Sequence, residues 1–126
     1  MWIYNDCEFT EDMIGDNIGF VYVITNLTNN KQYVGKKNFW SKRKDRKTGK
    51  RKTRMSDWQK YYGSNDQLNE DIKNGDQVKK DIIHLCKSKG FMSYLETKEI
   101  LVRDCLLNDK YYNYWVSCKI RRTHLK

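Results

Sequence analysis

Eleven lysines and arginines stand between residues 36 and 54 against one acid, Asp45, in a chain whose total formal charge is +9. The rest of the chain is close to balanced, and residues 1–18 hold five acids and no base. A block this dense repels itself, which suits a mobile loop better than a core. The chemistry open to it is phosphate contact. Each phosphate neutralised by Lys or Arg releases condensed counterions, so such binding is salt-sensitive. Phe39 and Trp40 precede the block, and Trp58, Tyr61 and Tyr62 follow it, adding aromatic faces to the cations. These residues support a nucleic-acid partner; a solvated charged face or a localisation signal is the plain alternative. Charge alone does not separate DNA from RNA, or an enzyme from a passive binder.

The other reactive side chains exclude several classes. Cys7, Cys86, Cys105 and Cys118 are far apart and form no Cys-x-x-Cys pair, which argues against zinc and against a disulfide framework. They read as small apolar fillers in a reducing compartment. His84 lies in an apolar run and reads as a strand residue with a local hydrogen-bond partner; His124 carries no signal. Ser93-x-x-Glu96 has the form of a helix capping box, and Glu99 can pair with Arg103 one turn on. Tyr22 and Tyr33, eleven positions apart, read most simply as cross-strand aromatic partners in one hairpin.

The elements that must position these groups follow from pattern. A chain of 126 residues suits one domain with a modest core. Only 38% of residues are hydrophobic, yet 13% are aromatic, which favours a compact polar domain over a disordered one. Proline is absent and no apolar run approaches the roughly 18 residues of a membrane span. The start lacks the basic-then-apolar layout of a signal peptide, so a cytoplasmic location is expected. Residues 1–18 read as an irregular acidic arm, 19–118 as one domain containing a basic loop at about 36–55, and 119–126 as a basic tail. Within the domain, residues 19–25 are β-branched and aromatic throughout, a strand covered on both faces; 26–30 are turn-rich, and 31–36 return as its hairpin partner. Ser56-Asp57 caps a short helix through Tyr62. Ser64-Asn65-Asp66-Gln67 fits a capping box opening a helix to about Lys73, stopped by Asn74-Gly75. Residues 78–86 predict a third strand. A helix from near residues 90–93 to about 107 packs one stripe on the core. Strand, strand, helix, strand, helix predicts an α/β (α+β) fold with a small, mainly antiparallel three-stranded sheet flanked by helices.

The hairpin resembles the signature of the GIY-YIG nuclease superfamily. Phe20-Val21-Tyr22 stands where that family has Gly-Ile-Tyr, and Tyr33-Val34-Gly35 where it has Tyr-Ile-Gly; Phe20 at the first Gly site is a departure. Leu95-Glu96 with Ile100 resembles the helix that presents the family's single catalytic carboxylate, and Tyr111-Tyr112-Asn113 its late Tyr-Asn. Trp58 to Ser64, with Tyr-Tyr-Gly-Ser, is similar to small phage-encoded Seg-like homing endonucleases. The resemblance spans residues 19–113.

It implies a metal-dependent DNA endonuclease acting on double-stranded DNA, by nicking or by double-strand cleavage. One divalent cation, Mg²⁺ or another such as Mn²⁺, would be held by Glu96, with water and phosphate oxygens completing its shell. Tyr22 would deprotonate the attacking water, its phenolate favoured by basic neighbours and the metal; Tyr33 would orient water or phosphate, and the two could exchange. Asn113 would support the site. An arginine on the scissile phosphate is expected, and Arg43 has the common spacing, with Lys36, Lys37, Arg46 and Arg54 as alternatives; these and Trp58 form the expected nucleic-acid contacts. Glu96 as a helix cap and Asn113 as a turn residue are the bland rivals. A non-catalytic nucleic-acid binder that keeps the fold is the alternative function.

Overall fold

The computed structural model describes residues 1–44 and 46–125, with Arg43, Lys44, Arg51 and Lys52 described through their backbone alone. Its centre is β3 (Gly19–Asn26), which pairs antiparallel with β4 (Gln32–Asn38) on one side and with β7 (Val78–Cys86) on the other. Side chains alternate across a strand, so Phe20, Tyr22 and Ile24 enter one apolar cluster and Val21 and Val23 another. Both faces are covered, as the unbroken apolar run requires. Leu68 of α1 (Asp66–Lys73) closes the first cluster; Met92 and Ile100 of α2 (Lys89–Val102) close the second.

The sheet has five strands, not the expected three, in the order β2-β1-β7-β3-β4. The N-terminal residues, expected to be irregular, supply the other two: β1 (Trp2–Tyr4) runs parallel to β7, and β2 (Cys7–Glu8) pairs with β1. A three-residue strand whose partner begins at Lys80 leaves no local period to read. Its anchor is Trp2, buried against the rings of Phe20 and Tyr22, with its indole N–H donating to the Trp58 carbonyl at 2.7 Å. Trp58 is likewise no nucleic-acid contact: it is 1% exposed and packs on Phe9, Phe20 and Phe39. An aromatic beside a basic block was core rather than platform.

The basic stretch is not a loop. Beyond β4 the chain forms a separate two-stranded ribbon, β5 (Trp40–Lys44) and β6 (Arg51–Met55), zipped at its base by Trp40 opposite Met55. The helix starts also shift. Asn65, rather than Ser64, caps α1 by accepting from Leu68 N–H at 2.9 Å. Ser88 caps α2, which ends at Val102 because Asp104 turns left-handed, φ +52°, into a 3-10 turn at Cys105–Leu107. The expected helix at 58–62 is a 3-10 turn, Trp58–Lys60.

His84 does have its local partner: Nε2 meets Glu99 Oε1 at 2.8 Å, and Glu99 Oε2 meets Arg103 Nε at 3.0 Å, tying α2 to β7. All four cysteines are free; Cys86 and Cys105 are buried fillers, whereas Cys7 and Cys118 are exposed. No helix among the described residues is long and apolar enough to cross a membrane.

One buried cation underlies the first cluster. Lys80 Nζ donates to the carbonyl of Tyr61 at 2.8 Å and lies 4.4 Å and 4.3 Å from the ring centres of Trp2 and Tyr62. Burial pushes its pKa down to about 8. Between pH 8 and 10 the unfolded chain then holds the extra proton, so raising pH favours the folded state. Wild-type unfolding free energy is expected to rise across that window by on the order of 2 kcal/mol relative to Lys80→Met, measured by urea titration. A parallel pH dependence of the two proteins would contradict it.

Candidate active site

The site forms where the two faces of the sheet meet at the outer edge of β4. Tyr22 pairs across the strands with Gly35, and a Cβ at residue 35 would fall on the Tyr22 phenol. The tyrosine therefore lies across the glycine and reaches toward the edge; only a residue without a side chain permits it. On the other flank Val21 opposes His84 but Tyr22 opposes Ile82, a bulge that adds local twist beside the tyrosine. Tyr33 is on the same face, its ring centre 6.2 Å from that of Tyr22 and its hydroxyl 3.1 Å from Ser64 Oγ. Tyr61 completes a group of three phenols, edge-on to Tyr22 at 6.1 Å. Gly63, at φ +90°, lets the chain pass close to both hairpin tyrosines.

From the opposite face come Lys36 and Glu96. Lys36 pairs with Val21 and so points toward α2, where its ammonium donates to Ser93 Oγ at 2.7 Å. Glu96 is one turn beyond Ser93 on the same helix. It stands in the second turn, since Ser88 is the cap, and the capping-box reading of Ser93 and Glu96 falls. Its half-buried carboxylate makes no hydrogen bond to another described residue; burial raises its pKa, and the Lys36 ammonium opposes that rise. Tyr22, Tyr33, Lys36, Ser64, Glu96 and Asn113 line one cavity of about 510 Å³, with Tyr114 and Trp115 at its mouth.

Asn113 holds a wall of this cavity by copying a strand. β4 is an edge, and its outward Val34 N–H donates to Asn113 Oδ1 at 3.0 Å while Asn113 Nδ2 donates to Val34 O at 2.9 Å. Just before it, Gln32 exchanges backbone bonds with Lys110 and Tyr112. Tyr112 is fixed in turn, donating to Asp71 Oδ2 at 2.7 Å and accepting from Asn26 Nδ2 at 3.0 Å. Both ends of the Asn113 amide are engaged, so its part is to position; it is neither a turn filler nor a free ligand.

Other expected residues fall outside. Arg43 stands in β5 opposite Lys52, in the ribbon, and its side chain lies outside the described residues. Arg46 and Arg54 are exposed on the same ribbon. Lys37 faces the first cluster: it pairs with Asp57 at 2.7 Å and lies 4.1 Å over the Tyr61 ring. Among the described residues the cation lining the cavity is Lys36.

Burial sets the titration of the two hairpin phenols. Burial first, then the charges of Tyr61, Tyr33 and Glu96, raise the pKa of Tyr22 well above 10. In the cation-free protein burial outweighs the basic neighbours, which do not figure among the causes of this rise. Tyr33 is raised less, its bond to Ser64 working against burial. Tyr61 escaped sequence reasoning because it was read with the aromatics flanking the charge block; its place two residues before a left-handed glycine was the available signal.

Among the described residues no cluster of three or more His, Cys, Asp or Glu could cage a metal. The donors lining the cavity are hard oxygens around one carboxylate, that of Glu96. That set fits a hard divalent cation taking most of its ligands from water and substrate, and does not fit a cation needing a full protein cage.

Comparison with known families gives one match: residues 2–116 fit the family model described as "Putative endonuclease segE, GIY-YIG domain". No curated protein matches the chain, and no solved structure does.

Proposed function

Because the chain belongs to the SegE-type GIY-YIG endonuclease domain family, we propose that it hydrolyses phosphodiester bonds of double-stranded DNA with the help of a divalent cation, as a homing-type nuclease would. What carries the reading is the convergence of two hairpin phenols, Lys36 and the carboxylate of Glu96, which hydrogen-bonds no other described residue, on one cavity. The departure at Phe20 subtracts nothing from it, because Phe20 is a fully buried core residue.

In this reading Glu96 holds Mg²⁺ or Mn²⁺, which when bound would supply the positive charge that eases loss of a proton from water and offsets phosphate charge. Tyr22 orients the attacking water by hydrogen bonding, and the proton the water loses passes to solvent in the cavity. Tyr33, fixed by Ser64, hydrogen-bonds a phosphate oxygen. The Lys36 ammonium stabilises charge developing on the phosphate, the part expected of an arginine. Water adds to phosphorus, the bond to the 3′-oxygen breaks, and that oxygen takes up a proton. A single site cuts one strand per event, so nicks are the first product.

Supercoiled plasmid incubated with the protein and Mg²⁺ is expected to become nicked, and EDTA is expected to stop nicking without abolishing DNA binding. Binding without cleavage under every divalent metal would overturn this reading and favour the non-catalytic binder.

A further inference from the structure

Among the described residues none of the ribbon lines the cavity, yet the ribbon is spliced into the chain between residues of the site. Lys36 lines the site and β5 begins four residues later; β6 ends at Met55, six residues before Tyr61. The junction is fixed: Phe39 is fully buried and its N–H donates to Ile18 O at 2.9 Å, Ser56 Oγ donates to Asn38 O at 2.6 Å, and Lys37 meets Asp57 across the base.

We propose that β5–β6 is the DNA-reading element of this protein, lying in the major groove of a duplex and setting which phosphate enters the cavity; this deepens the proposed duplex-DNA function and rests on it. Shape is the first support. A two-stranded antiparallel ribbon is of a size that the major groove, about 12 Å wide, admits, and strands of five residues run about 17 Å along it. Charge is the second. Residues 40–55 hold nine bases and one acid, and Lys42, Arg46, Lys50 and Arg54 are exposed. Register is the third: Arg43 stands opposite Lys52 and Lys44 opposite Arg51. Like charges directly opposite destabilise a strand pair, and a lone two-stranded ribbon is marginal in water. A polyanion running along both strands removes that penalty. Arg and Lys are also the side chains that pair with guanine O6 and N7 on the major-groove edge. Duplex RNA fits poorly, since its major groove is too deep and narrow to enter.

The test uses the full chain in EDTA, so that binding is read apart from cutting, on a mixed-sequence DNA duplex carrying methyl green in its major groove or netropsin in its minor groove. The protein is expected to release methyl green and spare netropsin. Combined Lys42→Gln, Arg46→Gln, Lys50→Gln and Arg54→Gln is expected to weaken binding at least about ten-fold and to flatten the slope of log affinity against log salt by about three. Should the combined variant not fold, Arg46→Gln and Lys50→Gln alone, both in the turn, should each flatten it by up to about one. Release of netropsin alone, unchanged slopes, or equal binding to an RNA duplex of the same sequence would overturn the proposal. The two readings fail separately. Groove-specific, ribbon-dependent binding with no cleavage in Mg²⁺ overturns the nuclease and keeps the reader, whereas cleavage with ribbon-independent binding does the reverse.

Discussion

Glu96→Gln is expected to lower DNA cleavage by about 10³-fold or more in single-turnover plasmid nicking, while the protein remains folded and still binds DNA. The substitution keeps side-chain volume and removes only the charge. It should not destabilise the fold, because the carboxylate makes no hydrogen bond to another described residue and burial already disfavours its ionised form. The sign follows from that burial. The folded chain keeps the Glu96 proton to higher pH than the unfolded chain, so ionising it costs stability as pH rises above the ordinary carboxylate range, and the Gln variant escapes this cost. Wild-type cleavage should in turn fall as pH drops into the carboxylate range, since only the carboxylate binds a cation. Nicking by the variant within ten-fold of wild type would remove Glu96 from the mechanism.

Gly35→Ala tests the other half of the site, without touching a titratable group. The added methyl would occupy the position of the Tyr22 phenol, so the ring must leave its place across the glycine or the two strands must separate. Overpacking of this kind costs roughly 2–3 kcal/mol, seen as a lower urea midpoint, and displacement of the phenol should lower cleavage by about 10²-fold or more. Adding Tyr22→Phe to Gly35→Ala removes the hydroxyl the methyl meets. It should recover part of the stability and none of the activity, a non-additive pair in a double-mutant cycle. If Gly35→Ala cleaves normally, the crossing of Tyr22 over Gly35 is not what places the phenol.

The same hairpin shows what a sequence can and cannot disclose. Residues 19–25 were legible as a strand buried on both faces because every position is β-branched, aromatic or small, and its antiparallel partner follows within one turn. β7 was legible only through its second half, where Ile82, Ile83, Leu85 and Cys86 make an apolar run. β1 was not: its three residues have meaning only against Lys80 and Asp81, far along the chain. The ribbon was hidden by its own composition, since charge masks the strand pattern of Trp40, Thr53 and Met55. Trp58 was misplaced because an aromatic near cations looks the same in sequence whether it faces solvent or core.

The site divides along similar lines. Tyr22, Tyr33, Glu96 and Asn113 could be named from resemblance, and the fold brings all four to one cavity. The meaning of each was not readable. Whether Glu96 capped its helix turned on which serine, 88 or 93, began it. Whether Tyr22 ionises turned on burial that no spacing reports. Among the described residues Lys36 is the cation lining the cavity, because alternation at β4 sends residue 36 to the α2 face and residue 37 to the other, a distinction invisible until the register is known.

The amide of Asn113 and the backbone of residues 110–112 occupy hydrogen-bonding positions on β4 that a sixth strand would otherwise use. A chain clipped before residue 110 would present those donors and acceptors bare, beside a candidate pocket missing one side. Two such fragments would satisfy each other edge to edge, so proteolysis at this point would turn a capped edge into a self-templating one.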